Sequence, residues 1–180
     1  MALELSELQK QLREQRRTGG RPGHRRLETN AAVLRVALGS DHGGFALKES
    51  LKQFLLDAGV TVDDVGAHST AAVDYPDLAV AVAQKVQSGS SRLGIVVDAA
   101  GLGSCMAANK VAGVRAATCH NEATARNSRE HNNANVLVLG ARFVHPGHAR
   151  RIVAAWLATP DATGRHARRV AKIDALDKNR

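Results

Sequence analysis

Residues 94–110 read GIVVDAAGLGSCMAANK, and the fold turns on how this stretch is parsed. Ile95-Val96-Val97 is an apolar run short enough for a buried strand, and it stops at a carboxylate, Asp98. Ala99-Ala100-Gly101-Leu102-Gly103 is a loop of mostly small residues, and Ser104 to Ala108 reads as the first turns of a helix. A strand that runs through a Gly-rich turn into a helix N-terminus is where α/β proteins place ligands. The free N–H groups and the helix dipole there favour anions and developing negative charge. Asp98 stands at the lip of that site.

The pattern repeats on both sides. Upstream, Leu34 to Leu38 reads as a strand, Gly39 to Gly44 as a loop, and residues 45–58 as a helix with Leu47, Leu51, Phe54 and Leu55 on one face. Gly59 closes that helix. Val60 to Val65 is a second strand. Asp74-Tyr75-Pro76-Asp77 starts a helix with proline in its first turn, running to Gly89. Downstream come a strand over Val114–Thr118, a helix over Glu122–His131 and a strand over Asn135–Leu139. Helices from Pro146 and over Arg165–Asp177 complete the chain. Strands alternating with helices predict a parallel sheet covered on both faces. The expected fold class is α/β, a Rossmann-like three-layer αβα sandwich with a five-stranded parallel sheet. The loops carrying Asp41-His42, Asp98 and His120 then share the C-terminal edge of that sheet.

Composition agrees with one domain. The 180 residues are 44% hydrophobic but only 3% aromatic, so the core is built of Ala, Val, Leu and Ile. No apolar run approaches a membrane span and the N-terminus is charged rather than signal-like, so the expectation is a cytoplasmic protein with no membrane contact. Two cysteines, Cys105 and Cys119, have no metal-ligand spacing and fit a reducing compartment. The formal charge of +8 raises nucleic acid as a partner. Its distribution argues against that. Residues 1–30 hold seven Lys/Arg against four Glu, and residues 161–180 hold six Lys/Arg against three Asp, so most of the excess lies at the two ends. No aromatic-studded basic face accompanies it. Residues 2–17 form an amphipathic helical pattern, with Leu5, Leu8 and Leu12 at i, i+3 and i+7. A linker by composition follows at Thr18-Gly19-Gly20-Arg21-Pro22-Gly23. The division is therefore 1–32, helix plus flexible linker, and 33–180, the compact domain.

Several side chains could carry chemistry. Asp98 at the end of an apolar strand either caps the next helix or acts as a base. Asp41-His42 is either a polar pair at the ligand edge or a helix cap beside a surface histidine. Gly101-x-Gly103 lacks the third glycine of a dinucleotide fingerprint, so no nicotinamide cofactor is implied. Arg165 and Arg169, at i and i+4, can fork onto one phosphate or form a solvated basic face. Arg142 is a third cation from elsewhere in the chain. His131, at a helix end, is an acid/base candidate or a C-terminal cap.

Taken together, SDHGGFALK (40–48), VDYPD (73–77), GLGSCMAANKVAGVRAA (101–117), SREHNNANVLVLGAR (128–142) and GRHARRV (164–170) resemble the ribose-5-phosphate isomerase B / galactose-6-phosphate isomerase family. The match runs from about Leu34 to the C-terminus. The resemblance implies cofactor-free and metal-free aldose–ketose isomerisation of a sugar phosphate through a cis-enediolate. It also implies a site at the interface of a homodimer or dimer of dimers. By position, His131 assists ring opening. Asn132 and the N–H groups of the Ala99, Ala100, Gly101 and Gly103 loop stabilise the enediolate oxygen. Asp41 and His42 contact the sugar hydroxyls or phosphate, Arg142, Arg165 and Arg169 hold the phosphate, and Tyr75 borders the pocket.

One position departs from the family pattern. Many members carry a catalytic Cys where this chain has Asp98, followed by Gly-Thr where it has Ala99-Ala100. Another branch uses a Glu at the position of Ser104. Three readings follow: Asp98 is the base, the enzyme handles an altered substrate, or the chain is an inactive binding or structural subunit. The N-terminal helix and linker resemble the targeting peptides of bacterial microcompartment cargo, with a shell protein as partner of residues 1–17. An arm packed on a neighbouring subunit, or a disordered tail, is the alternative.

Overall fold

A computed structural model describes residues 2–18 and 34–179. Five strands, β1 (Arg35–Ser40), β2 (Thr61–Gly66), β3 (Leu93–Asp98), β4 (Ala116–Thr118) and β5 (Val136–Gly140), form one sheet in the order β2-β1-β3-β5-β4. Every pairing is parallel. The helices are α1 (Ala2–Thr18), α2 (Phe45–Asp57), α3 (Tyr75–Gln87), α4 (Leu102–Ala108), α5 (Glu122–Asn132), α6 (Pro146–Ala158) and α7 (Gly164–Ala175), with a 3-10 turn over Leu176–Asn179. The α/β sandwich expected from the alternating pattern is present. The linker expected beyond Thr18 falls largely outside the described residues.

The two faces of the sheet are packed differently. Leu38, Ile95, Val97, Leu137 and Leu139 join one cluster with Leu47, Leu51 and Leu55 of α2 and Ile152 and Trp156 of α6. Their alternates along the strands, Ala37, Val96, Val136 and Val138, join Ala79, Val82 and Ala83 of α3 in another. Period-2 alternation thus sends the larger side chains to one face and mainly small ones to the other. On the small side the α3 helix sits very close: a Cβ on Gly94 would lie 2.6 Å from Val82 Cγ1.

Helix α1 lies on the large-residue side. Leu8 and Leu12 are 1% and 4% exposed within the same cluster as Phe54 and Trp156, and Gln9 Nε2 donates to the Asp57 carbonyl at the end of α2 (2.8 Å). The apolar face read from Leu5, Leu8 and Leu12 is therefore occupied by the chain's own domain. Two buried leucines contribute about 3–6 kcal/mol of gross transfer free energy, before the cost of ordering the helix. Deleting residues 1–18 is expected to leave a folded domain with a lower urea midpoint and a smaller m-value, read by circular dichroism. An unchanged midpoint would show that α1 contributes nothing to stability.

Several boundaries differ by one or two residues from expectation. β4 begins at Ala116 rather than Val114, because the Arg115 N–H donates to the Asn135 side chain (2.7 Å) and not to a strand. Both β1 and β5 run one or two residues further toward the C-terminal edge than expected, to Ser40 and Gly140.

Candidate active site at the C-terminal edge

The chain leaves β1 for β2 on one side and returns to β3 on the other, so the crevice between β1 and β3 is a topological switch point. The parallel register aligns Ser40 with Val97 and Asp98 with Gly140. The loops that follow are stitched together by the backbone: Asp41 N–H donates to the Val97 carbonyl (3.2 Å), Ala141 N–H to that of Asp98 (2.8 Å), and Arg142 N–H to that of Ala99 (3.0 Å).

Asp98 is 4% exposed. Its Oδ1 accepts from the N–H groups of Ala100 (2.8 Å) and Gly101, and its Oδ2 from Ser104 N–H (3.3 Å) and Ser104 Oγ–H (2.5 Å). A carboxylate offers about four lone-pair sites, so these donors fill it. Three of the four are backbone groups fixed by the turn. The Ser104 hydroxyl is the one that can rotate away. The loop is shaped by Gly101, whose φ of 81° is left-handed and whose added Cβ would meet Gly140 N and Thr118 Cγ2 at 3.0 Å. Thr118 Oγ1 donates to the Gly101 carbonyl (2.8 Å), tying the loop to β4.

Around this loop stand most of the expected site residues. Asp41 is buried, and its Oδ1 accepts from Gly44 N–H at the start of α2 (2.8 Å). His42 is exposed and its Nδ1 lies 3.3 Å from both the N and O of Val73. Tyr75 opens α3 with its ring against Gly103: a Cβ there would lie 2.6–2.7 Å from the ring and hydroxyl. Ala99 and Ala100 are half-buried, and Arg142 is exposed.

A second group forms where α5 ends and α7 begins. His131 and His166 stack with centroids 4.1 Å apart and planes 7° from parallel. Asn127 Nδ2 lies 3.0 Å from His131 Nδ1, and Arg165 Nε donates to His166 Nε2 (3.4 Å). Packing of the His166 ring, with the nearby His131, Arg165 and Arg169 charges, pushes its titration below the usual imidazole value. Asn132, Arg165 and Arg169 are exposed beside it. Among the described residues, no hydrogen bond, ion pair or ring contact joins this group to the one around Asp98.

Sequence reasoning overlooked Ser104 as a partner of Asp98 and His166 as a partner of His131. Both lie in the family-like motifs, and the signal for each is position: Ser104 in the first turn after the loop, His166 between Arg165 and Arg169. The cysteines stand apart from this chemistry. Cys105 Sγ donates to the Ala116 carbonyl (3.3 Å), and burial pushes the Cys119 thiol up. Among the described residues, no three His, Cys, Asp or Glu side chains are grouped to hold a metal ion, and no helix is long and apolar enough to cross a membrane.

Comparison with known proteins gives a consistent result. Residues 36–173 match the family model described as Ribose/Galactose Isomerase. Ribose-5-phosphate isomerase B of Escherichia coli K12 is 42% identical over 148 residues, covering 82% of this chain and 99% of that protein. D-erythrulose-4-phosphate isomerase of Pectobacterium atrosepticum is 38% identical over 142 residues, covering 78% and 93%. The solved ribose-5-phosphate isomerase B of Clostridium thermocellum superposes with a TM-score of 0.80 at 48% identity, covering 81% of this chain and 99% of that one.

Proposed function

The chain belongs to the ribose/galactose isomerase family and is a sugar-phosphate isomerase, and from that premise we propose that it interconverts an aldose phosphate and its ketose, of the ribose 5-phosphate/ribulose 5-phosphate type, with Asp98 as the base. The observation that supports this is the Asp98 carboxylate itself, fixed at the switch point with one movable donor. In the forward direction His131 assists opening of the sugar ring. The Ser104 hydroxyl turns off Oδ2, and Oδ2 takes the proton from C2. The C2–H electron pair forms the C1–C2 double bond, and the carbonyl pair moves onto O1, giving a cis-enediolate. The O2 hydroxyl proton passes to O1, the O2 electrons re-form a carbonyl at C2, and the C1–C2 double-bond pair takes the proton back from Asp98 at C1, which yields the ketose. Once protonated, Asp98 holds the Ala100 and Gly101 N–H groups less strongly. They become available, with Ala99, Gly103 and Asn132, to stabilise the oxyanion.

In this reading Asp41 and His42 contact the hydroxyls or the phosphate, Tyr75 borders the sugar, and Arg142, Arg165 and Arg169 hold the phosphate. In this reading the protein is a homodimer, and each subunit lends its His131 group to the Asp98 loop of its partner. Exposed Leu102, Met106 and Phe143 beside that edge supply an apolar surface for it.

One observation favours a second reading. With all four lone-pair sites of Asp98 filled, the loop is also a stable resting structure for an inactive sugar-phosphate-binding subunit. A coupled assay against ribose 5-phosphate, allose 6-phosphate, galactose 6-phosphate and tetrulose phosphates decides. Turnover of ribose 5-phosphate is expected. Binding without turnover of any of them would support the inactive subunit. We further propose residues 1–17 as the segment that would meet a microcompartment shell. Leu8 and Leu12 then have to leave the α2/α6 surface first.

A further inference from the structure

Helix α7 carries Arg165, His166 and Arg169, yet Val170 is its one buried residue. Polar contacts do most of the holding. Arg115 Nη1 pairs with Asp174 (2.6 Å) at the far end of the helix, and Gly113 N–H donates to Asp177 (2.7 Å) in the 3-10 turn beyond it. At the near end the segment between α6 and α7 is held by Asp161, which pairs with Arg129 and, at 3.6 Å, with Arg92.

Arg129 is placed to couple several elements. It lies on α5 two residues before His131 and is 4% exposed. Its Nη1 donates to the Ala134 carbonyl (2.8 Å) and to Asn133 Oδ1 (3.3 Å), and its guanidinium lies 5.5 Å from the Trp156 ring centroid on α6. An arginine fork so fixed has little freedom left, so its bond to Asp161 carries direction as well as charge. Asp161 stands three residues before the first residue of α7. The stack of His131 on His166 closes the same corner from the other side.

We infer that Arg129 and Asp161 are positioning residues, an ionic latch that sets the cationic turn of α7 against the His131 end of α5. The inference rests on the proposal that Arg165 and Arg169 hold the phosphate, and it adds what aims them. Neither latch residue touches substrate. Without the latch the arginines keep their charge but lose their fixed spacing to His131, so the cost falls on phosphate binding rather than on the proton transfer.

Asp161→Asn tests it, because the Asp161 side chain is 53% exposed and its removal spares the core. The expected result is a rise of about fivefold in KM for ribose 5-phosphate and in the inhibition constant of inorganic phosphate, with kcat within about twofold. The His131 and His166 ring signals in the NMR spectrum should shift with no ligand present. Asp161→Glu is expected to restore part of the KM effect. Arg92→Gln, which removes only the longer arm, should leave the kinetics near those of the parent. A folded Asp161→Asn protein with KM, phosphate inhibition and ring signals all unchanged overturns the latch, as does an equal loss in kcat. Arg165→Ala separates the layers. If it leaves phosphate affinity unchanged, the phosphate reading has failed, and the ring signals alone then uphold or overturn the latch.

Discussion

Asp98→Asn is expected to lower kcat for ribose 5-phosphate by about 10²- to 10⁴-fold, the range in which a positioned general base contributes. The substitution is close to isosteric, so the loss reports chemistry and not shape. The amide oxygen still accepts from Ala100 and Gly101 N–H. Its NH2 now faces Ser104 N–H, donor against donor, while the Ser104 hydroxyl can turn and accept. One buried unpaired donor costs about 1–3 kcal/mol, so the protein should remain folded with a lower urea midpoint. Substrate binding should change little, because the hydroxyl and phosphate contacts lie on other residues. A further measurement separates the subunit arrangement from the base. Mixing Asp98→Asn protein with His131→Ala protein under exchange conditions should recover about a quarter of the sites if each site draws on both chains. Full activity in Asp98→Asn would remove Asp98 from the mechanism.

Gly44→Ala is expected to destabilise the fold by about 3 kcal/mol, at the upper end of small-to-large substitutions. Gly44 is the N-cap of α2, and a Cβ there would sit 2.3 Å from the Val97 carbonyl oxygen and 2.6 Å from its carbon. These are backbone atoms of β3, one residue before Asp98, so no side chain can swing aside. The first turn of α2 would have to lift, breaking the bond from Gly44 N–H to Asp41 and displacing Asp41 and His42. Activity should fall together with stability. Gly147→Ala is the control, since nothing lies within 4 Å of its added Cβ, and it should be neutral to slightly stabilising. Equal midpoints for the two variants would mean that the contact between α2 and β3 relaxes at no cost.

These two positions also show what sequence could reveal. The five strands and their parallel arrangement were legible because apolar runs alternate with amphipathic helices, a local pattern with a direct physical cause. The position of Asp98 was legible for the same reason: it ends the third apolar run. Its state was not. Whether a carboxylate points at a ligand or at its own turn depends on where four donors sit, and Ser104 supplies two of them from six residues away. The Arg165/Arg169 pair followed from helical spacing, while the His131–His166 stack joins residues 35 positions apart and has no local signature. Likewise, the periodicity of residues 2–17 identified an apolar face but not the surface that receives it.

The unequal packing of the two sheet faces has a consequence for how this protein can vary. Apart from the Gly44 contact where α2 begins, a substitution on the α2/α6 side goes wrong by leaving a hole, at about 2–5 kcal/mol for a large side chain cut to Ala, and neighbours can partly collapse into it. On the α3 side, where Gly94 and Gly39 admit Val82 at less than van der Waals distance from any added methyl, it goes wrong by collision. Sequence drift is therefore buffered on one face and nearly forbidden on the other. Since α3 begins with Tyr75 against Gly103, the intolerant face is the one that fixes a wall of the pocket. A mutational scan of this domain should come out lopsided, permissive across the sheet from α3 and strict beneath it.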